Sequence, residues 1–200
     1  MWAKLESNTI VEILTRPKAL NIGDVKYPQN IFSMWTTAEL AVIGIVPVTV
    51  DNTNLKDKEY YINTNQSFAY STETGVATAT YGTATAKPIA DTLYTAQDET
   101  DGLGTEGEVR AKGLKTFHKE RINEQAAGIL QPTDWMIIRA ADGGTAVPSD
   151  ITTKRAAVRT KANSMQAQID GAANVDALAA LYVYNDAETP VRPLGEFPTV

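Results

Sequence analysis

The chain has 200 residues, 43% of them hydrophobic and 21% charged, with a formal net charge of -6. These fractions describe a folded protein of one or two domains, and the acid excess argues against a nucleic-acid backbone as main partner, which needs clustered Lys and Arg. With no cysteine, disulfides, thiolate metal sites and a cysteine nucleophile are excluded. No apolar run is long enough for a membrane-spanning helix, and Lys4 and Glu6 interrupt what would be the apolar core of a signal peptide.

Taken in order, residues 2–14 alternate in the manner of a β-hairpin around the Ser7-Asn8 turn. Thr36 followed three residues later by Glu39 predicts a capping box and a short helix over 37–43, ended by Gly44, with Ile31, Phe32 and Trp35 packed beneath it. Ile45 to Val50 reads as a strand, in which Pro47 marks an edge or the start of one. Three more strands are expected at 60–62, 67–70 and 76–81, the last two joined by a turn at 72–75. The alternation of Ala and Thr in 76–81 suits a half-exposed or partner-facing edge.

A polar stretch from Pro88 to Gly104 marks the change from a period of two to one of 3.6. Residues 107–130 carry helical spacing through Leu114, Phe117 or His118, Ile122 and Ile129, with Gly113 inside and Gly128 and Pro132 at the end. Trp135 to Ile138 reads as a compact extended apolar run, followed by a bend at Asp142-Gly143-Gly144. Pro148, then Ser149 as N-cap, begins a second long helix. Its repeat of four and three passes through Ile151, Arg155, Val158, Ala162, Met165 and Ile169 and stops at Asp170-Gly171. A short helix over 175–182 precedes a tail from Asn185 with three prolines, expected to lie against another chain.

The predicted fold class is therefore α+β, a small N-terminal antiparallel β domain followed by a long two-helix hairpin. The predicted segments are 1–96 (β-rich), 97–170 (helical hairpin) and 171–200 (short helix and extended tail).

Chemistry is hard to find. His118 is the one histidine, and on a helix flanked by Lys115, Lys119 and Glu120 it reads as a surface or partner-facing residue; without a second such ligand the usual zinc sets cannot be assembled. Asp98, Glu99 and Asp101 lack the alternating oxygen spacing of a calcium loop. Neither Gly102-Leu103-Gly104 nor Gly143-Gly144 is followed by the Lys-Ser/Thr of a phosphate loop. No catalytic, cofactor-binding or metal residues are assigned, and a non-enzymatic protein is expected. Lys154, Arg155, Arg159 and Lys161 on the second helix, with Lys112, Lys115, Lys119 and Arg121 on the first, read as a charged solvated face on each helix. The sharper alternative pairs Arg155 or Arg159 with Asp134 or Glu124 across the hairpin, or Arg139 likewise.

The run Leu130-Gln131-Pro132-Thr133-Asp134-Trp135-Met136-Ile137-Ile138-Arg139, then a short loop, Pro148 and a helix with Arg155 and Arg159, resembles the C-terminal segment of certain small tail-fibre-associated or fibre-assembly proteins of tailed bacteriophages. Tyr27-Pro28-Gln29-Asn30-Ile31-Phe32 with Trp35, Leu40 and Gly44-Ile45 is similar to the leading part of related tail and baseplate proteins. Together the two stretches cover about half the chain. The resemblance implies a non-enzymatic structural role in the virion tail, with other tail or fibre proteins as partners, a trimeric or hexameric setting, and no cofactor, nucleic acid or membrane. A fibre-assembly chaperone and a glycan-binding module stacking on Trp2, Trp35 or Trp135 are the alternatives. The expected interaction and structural anchors are Trp35, Trp135, Arg139, Ile151, Arg155, Val158, Arg159 and Met165, with Trp35 and Trp135 buried.

Overall fold

A tight turn starts the fold. Ser7 and Asn8 both take positive φ, 50° and 62°, the pair of left-handed residues that a two-residue hairpin with the right strand twist requires. They join β1 (Trp2–Glu6) to β2 (Thr9–Leu14). The computed structural model describes residues 1–198, so the last two residues of the expected 171–200 segment lie outside the described residues. The chain is α+β and divides into two compact units, Met1–Thr85 and Ala86–Val200.

In the first unit a small hairpin, β3 (Leu20–Ile22) and β4 (Val25–Tyr27), leads into α1 (Ile31–Met34) and α2 (Thr37–Val42). The predicted capping box is present: Glu39 N–H donates to the Thr36 hydroxyl, and the Glu39 carboxylate accepts from Thr36 N–H at 2.7 Å. That backbone bond, then the one from the Thr36 hydroxyl, holds the Glu39 carboxyl below its ordinary pKa. Next come β5 (Ile45–Asp51), β6 (Tyr61–Ile62), β7 (Gln66–Ser71), β8 (Val76–Tyr81) and β9 (Thr85–Ala86). The main sheet runs β2-β1-β5-β8-β7.

Two expectations change here. Pro47 does not mark an edge, because β5 sits between β1 and β8. Leu5 N–H donates to the Gly44 carbonyl (2.7 Å) and Val48 N–H to that of Met1 (3.1 Å). Pro47, opposite Trp2, therefore turns its nitrogen away from β1, toward a side where the ladder to β8 begins only at Val48. That ladder is parallel, so the sheet is antiparallel in all its pairings except β5 with β8.

The second change concerns β8. It is an inner strand, and its Ala77 and Ala79 are fully buried. The sheet curls until β7 approaches β2, and small side chains are what the inside of so tight a curl can hold. Ala3, Val46 and Ala77 form that inner core with Leu5, Ile10, Ile13, Val48 and Tyr70. A bulge in the β1–β2 pairing leaves Val11 without an opposite residue, which returns Ile10 and Ile13 to one face. The other face carries Leu14 and Ile45 against Leu20, Ile31 and Leu40, with Trp2 and Trp35 half-buried at its margin.

The second unit begins ahead of the expected 96/97 boundary for a physical reason. The segment 88–91 caps a helix from outside. Pro88 and Ile89 carbonyls accept from Leu114 and Lys115 N–H (both 3.0 Å), and the Asp91 carboxylate accepts from Gly113 N–H (2.7 Å) and the Thr116 hydroxyl (2.9 Å). Gly113 is thus the N-cap of the helix rather than an interior residue, and any Cβ there would lie 2.3 Å from the Ala90 carbonyl.

Between cap and helix lie β10 (Thr92–Leu93), α3 (Ala96–Thr100) and β11 (Val109–Ala111), which pairs back on β10. The acidic stretch expected as a solvated linker is therefore ordered, its helix begun by a Thr95–Asp98 capping box.

The helix α4 (Leu114–Leu130) continues through a 3₁₀ turn (Gln131–Thr133) into α5 (Asp134–Ala141). The apolar run at 135–138 is helical, not extended. The second long helix, α6 (Ser149–Gly171), has Pro148 rather than Ser149 as N-cap, and α7 (Val175–Ala180) follows. α4 and α6 pack antiparallel: Arg155 near the start of α6 reaches Leu130, while Asp170 near its end pairs with Lys119 (2.8 Å). Because a 3₁₀ turn and α5 intervene, the two are not joined by a tight hairpin.

The stripe on α6 is buried at Arg155, Val158, Ala162, Met165 and Ile169, as its spacing predicts, with Ile151 half-buried at its head. On α4 the buried stripe is Leu114, His118, Ile122 and Ala126. This four-residue step places His118 inside and Phe117 outside, reversing the expected surface histidine. The His118 ring lies 4.8 Å from that of Tyr182. The tail, expected against another chain, packs on its own unit at Leu194. Leu194 is fully buried, its N–H donates to the Leu181 carbonyl (3.0 Å), and its carbonyl accepts from Lys161 Nζ (2.8 Å).

Candidate interaction surface

The corner between α4, α5 and α6 is organised by one side chain. Arg155 is only 5% exposed. Its guanidinium donates to the Leu130 carbonyl (2.7 Å), to the Thr133 hydroxyl (2.5 Å) and to Asp134 Oδ1 (2.7 Å). The Leu130 carbonyl belongs to the last turn of α4, where carbonyls lack partners within the helix, and it also accepts from the Thr133 hydroxyl (2.9 Å). One guanidinium therefore satisfies the end of α4 and the first residue of α5. Its planar array of donors suits three acceptors at once in a way a lysine could not.

What this corner presents is α5. With about 100° between successive residues, Met136, Arg139 and Ala140 fall on one arc and are partly buried, while Asp134, Trp135, Ile137, Ile138 and Ala141 fall on the other and are exposed. Trp135 is 52% exposed, Ile137 40% and Ile138 63%. Arg139 lays its guanidinium 4.8 Å from the Trp135 ring, a cation–π contact that covers one ring face. Three large apolar side chains on the exposed side of one short helix, Trp135 and Ile137 at its margins and Ile138 between them, stand out, since single exposed apolar residues are ordinary and clusters are not.

The anchors expected from sequence thus part company. Arg155, Val158 and Met165 are buried in the helical core, Ile151 is half-buried and Arg159 is exposed. Of the four pairings considered, Arg155 with Asp134 is the one formed. Arg139 ties to Trp135 instead of to a carboxylate. Trp135 was expected inside and is not: as a helical residue it points away from the arc that faces the unit. Trp35 is half-buried in the first unit, its ring 5.7 Å from that of Tyr27 in an edge contact. Ile137 and Ile138 were missed. The signal for them was the helical period of 134–141, hidden by the shortness of the run.

Elsewhere the surface holds open depressions. One is lined by Val183, Tyr184, Val191 and Arg192. There Tyr184 donates its hydroxyl to Glu196 (2.5 Å), which raises the tyrosine pKa, and Arg192 bridges Glu196 and the Tyr184 ring. Among the described residues no group of three or more His, Asp or Glu is placed to hold a metal ion. No protein-family model, curated protein or solved structure matches the chain, so the chemistry of these surfaces is what speaks for its function.

Proposed function

We propose that the protein is a non-enzymatic structural component of a bacteriophage tail, in the baseplate or tail-fibre assembly, and that it docks on neighbouring tail proteins through α5. The observation that carries this reading is the exposed arc of Trp135, Ile137 and Ile138. It supports a docking role because apolar surface of this kind gains from being covered. The run that resembles the phage segment divides by role on this proposal. Leu130, Thr133 and Asp134 are clasped by Arg155, and Trp135 with its neighbours is presented. Copies of the chain would be arranged around the tail in threes or sixes. Mass spectrometry of purified particles should find the chain in fixed proportion to the other tail proteins. Its absence from particles, with presence in assembling fibres, would favour the chaperone role instead.

A glycan-binding module is the second reading, favoured by the exposed ring of Trp135. Against it, sugar recognition needs polar groups matched to hydroxyls around the platform, and here one face of the ring is already taken by the Arg139 guanidinium. Screening against immobilised glycans with the intact protein and Trp135→Ala separates the two: Trp135-dependent binding would displace the docking reading.

A further inference from the structure

We infer that α5 takes a helix of a different protein, one whose apolar stripe lies between two Lys or Arg side chains spaced two turns apart, and that it does not pair with its own copy. The inference rests on the docking reading above and names the chemistry of the partner.

Along the middle of the exposed arc, Asp134, Ile138 and Asp142 follow one another at four-residue spacing. A carboxylate thus stands at each end of the apolar strip, about 12 Å apart along the axis. Arg155 is buried and takes one oxygen of Asp134, leaving that side chain 53% exposed, and Arg139 is committed to the Trp135 ring. Asp142 is exposed and sits at the C-terminal end of α5, where the helix dipole adds negative potential.

A two-fold pairing of α5 with itself, centred on Ile138 and antiparallel, would set Asp134 against Asp142 of the copy at both ends. A parallel pairing would set each carboxylate against its own counterpart. Either register brings like charges together while burying them, which costs affinity. A foreign helix with basic residues eight apart meets both carboxylates and covers Ile138 between them with Trp135 beside it.

The test uses the full-length protein and two labelled 18-residue amphipathic peptides. Both carry the same leucine stripe, and they have either Lys or Glu at the two positions eight residues apart. Fluorescence anisotropy at physiological salt should show the Lys peptide binding about tenfold tighter or more. Asp142→Lys should remove that preference, whereas Asp24→Lys, an equal charge change in a turn of the other unit, should leave it. Ile138→Asp should abolish binding and leave the oligomeric state unchanged. Equal binding of the two peptides, no binding of the Lys peptide, a preference indifferent to Asp142→Lys, or a dimer lost in Ile138→Asp would each overturn the inference. None of these outcomes depends on whether the chain is found in phage particles, so failure here and failure of the tail assignment are told apart.

Discussion

The guanidinium of Arg155 lies 2.7 Å from the carboxylate of Asp134, yet the arginine is almost wholly buried and the aspartate half exposed. The pair is asymmetric, so its two members should respond differently to mutation. Arg155→Ala strands the Leu130 carbonyl and the Thr133 hydroxyl as well as Asp134, and should cost about 2–3 kcal/mol. Asp134→Asn keeps an acceptor at a site open to water and should cost about 1 kcal/mol or less. Chemical denaturation of the two variants checks the order; equal losses would mean that the carboxylate, not the helix end, is what Arg155 serves.

Trp135 should contribute to association rather than to stability. A buried tryptophan cut to alanine costs about 3–5 kcal/mol, but this one is half exposed and loses mainly its contact with Arg139, about 1 kcal/mol or less. Trp135→Ala is expected to fold with a nearly unchanged melting temperature and to fail in assembly with its partner. Thermal unfolding and co-sedimentation with the proposed tail partners read the two effects separately.

Gly44 is predicted to be intolerant of any side chain. Its φ is +77°, and a Cβ would sit 2.7 Å from the Leu5 carbonyl oxygen, beside the bond that Leu5 N–H makes to the Gly44 carbonyl. Gly44→Ala should destabilise the sheet unit by about 1–3 kcal/mol. Amide exchange should show the loss in β1 and β5 while α4 and α6 keep their protection.

Acid should loosen the helix starts first. Hydrogen bonds from Thr36 hold the Glu39 carboxyl below its ordinary value, those from Gly113 and Thr116 do so for Asp91, and those from Thr95 for Asp98. A lowered native pKa means that the ionised form is favoured by folding. The stabilisation is complete above the unfolded-state values near about 4 and is lost as pH falls through the lowered native ones. Titration from pH 6 to pH 2 followed by circular dichroism should show a decline confined to the acid end of that range. Asp91→Asn should make it shallower.

How much of this could be read from the chain depended on whether a local period carried the information. The α6 stripe was legible because five buried positions repeat over 155–169, and the Thr36–Glu39 cap because it is a contact three residues long. Trp135 to Ile138 was misread because four consecutive apolar residues fit a buried strand and a helix equally well. The alanines of β8 looked peripheral because their burial comes from the curl of the whole sheet, which no single strand records. Arg155 with Asp134 stood among four candidate pairs, since the angle at which α5 leaves α4 selects the partner, and that angle is set by packing.

The seat of Leu194 has a consequence for how the protein is made. The buried core of the sheet is complete once Tyr81 has been synthesised, but that of the helical unit includes Leu194 and waits for it. On the ribosome, which releases residues in order, the sheet can be finished while α4 and α6 are still emerging with their apolar stripes uncovered. Slowed translation between Gly171 and Leu194 would prolong that uncovered interval, and aggregation of nascent chains should rise with the length of the pause.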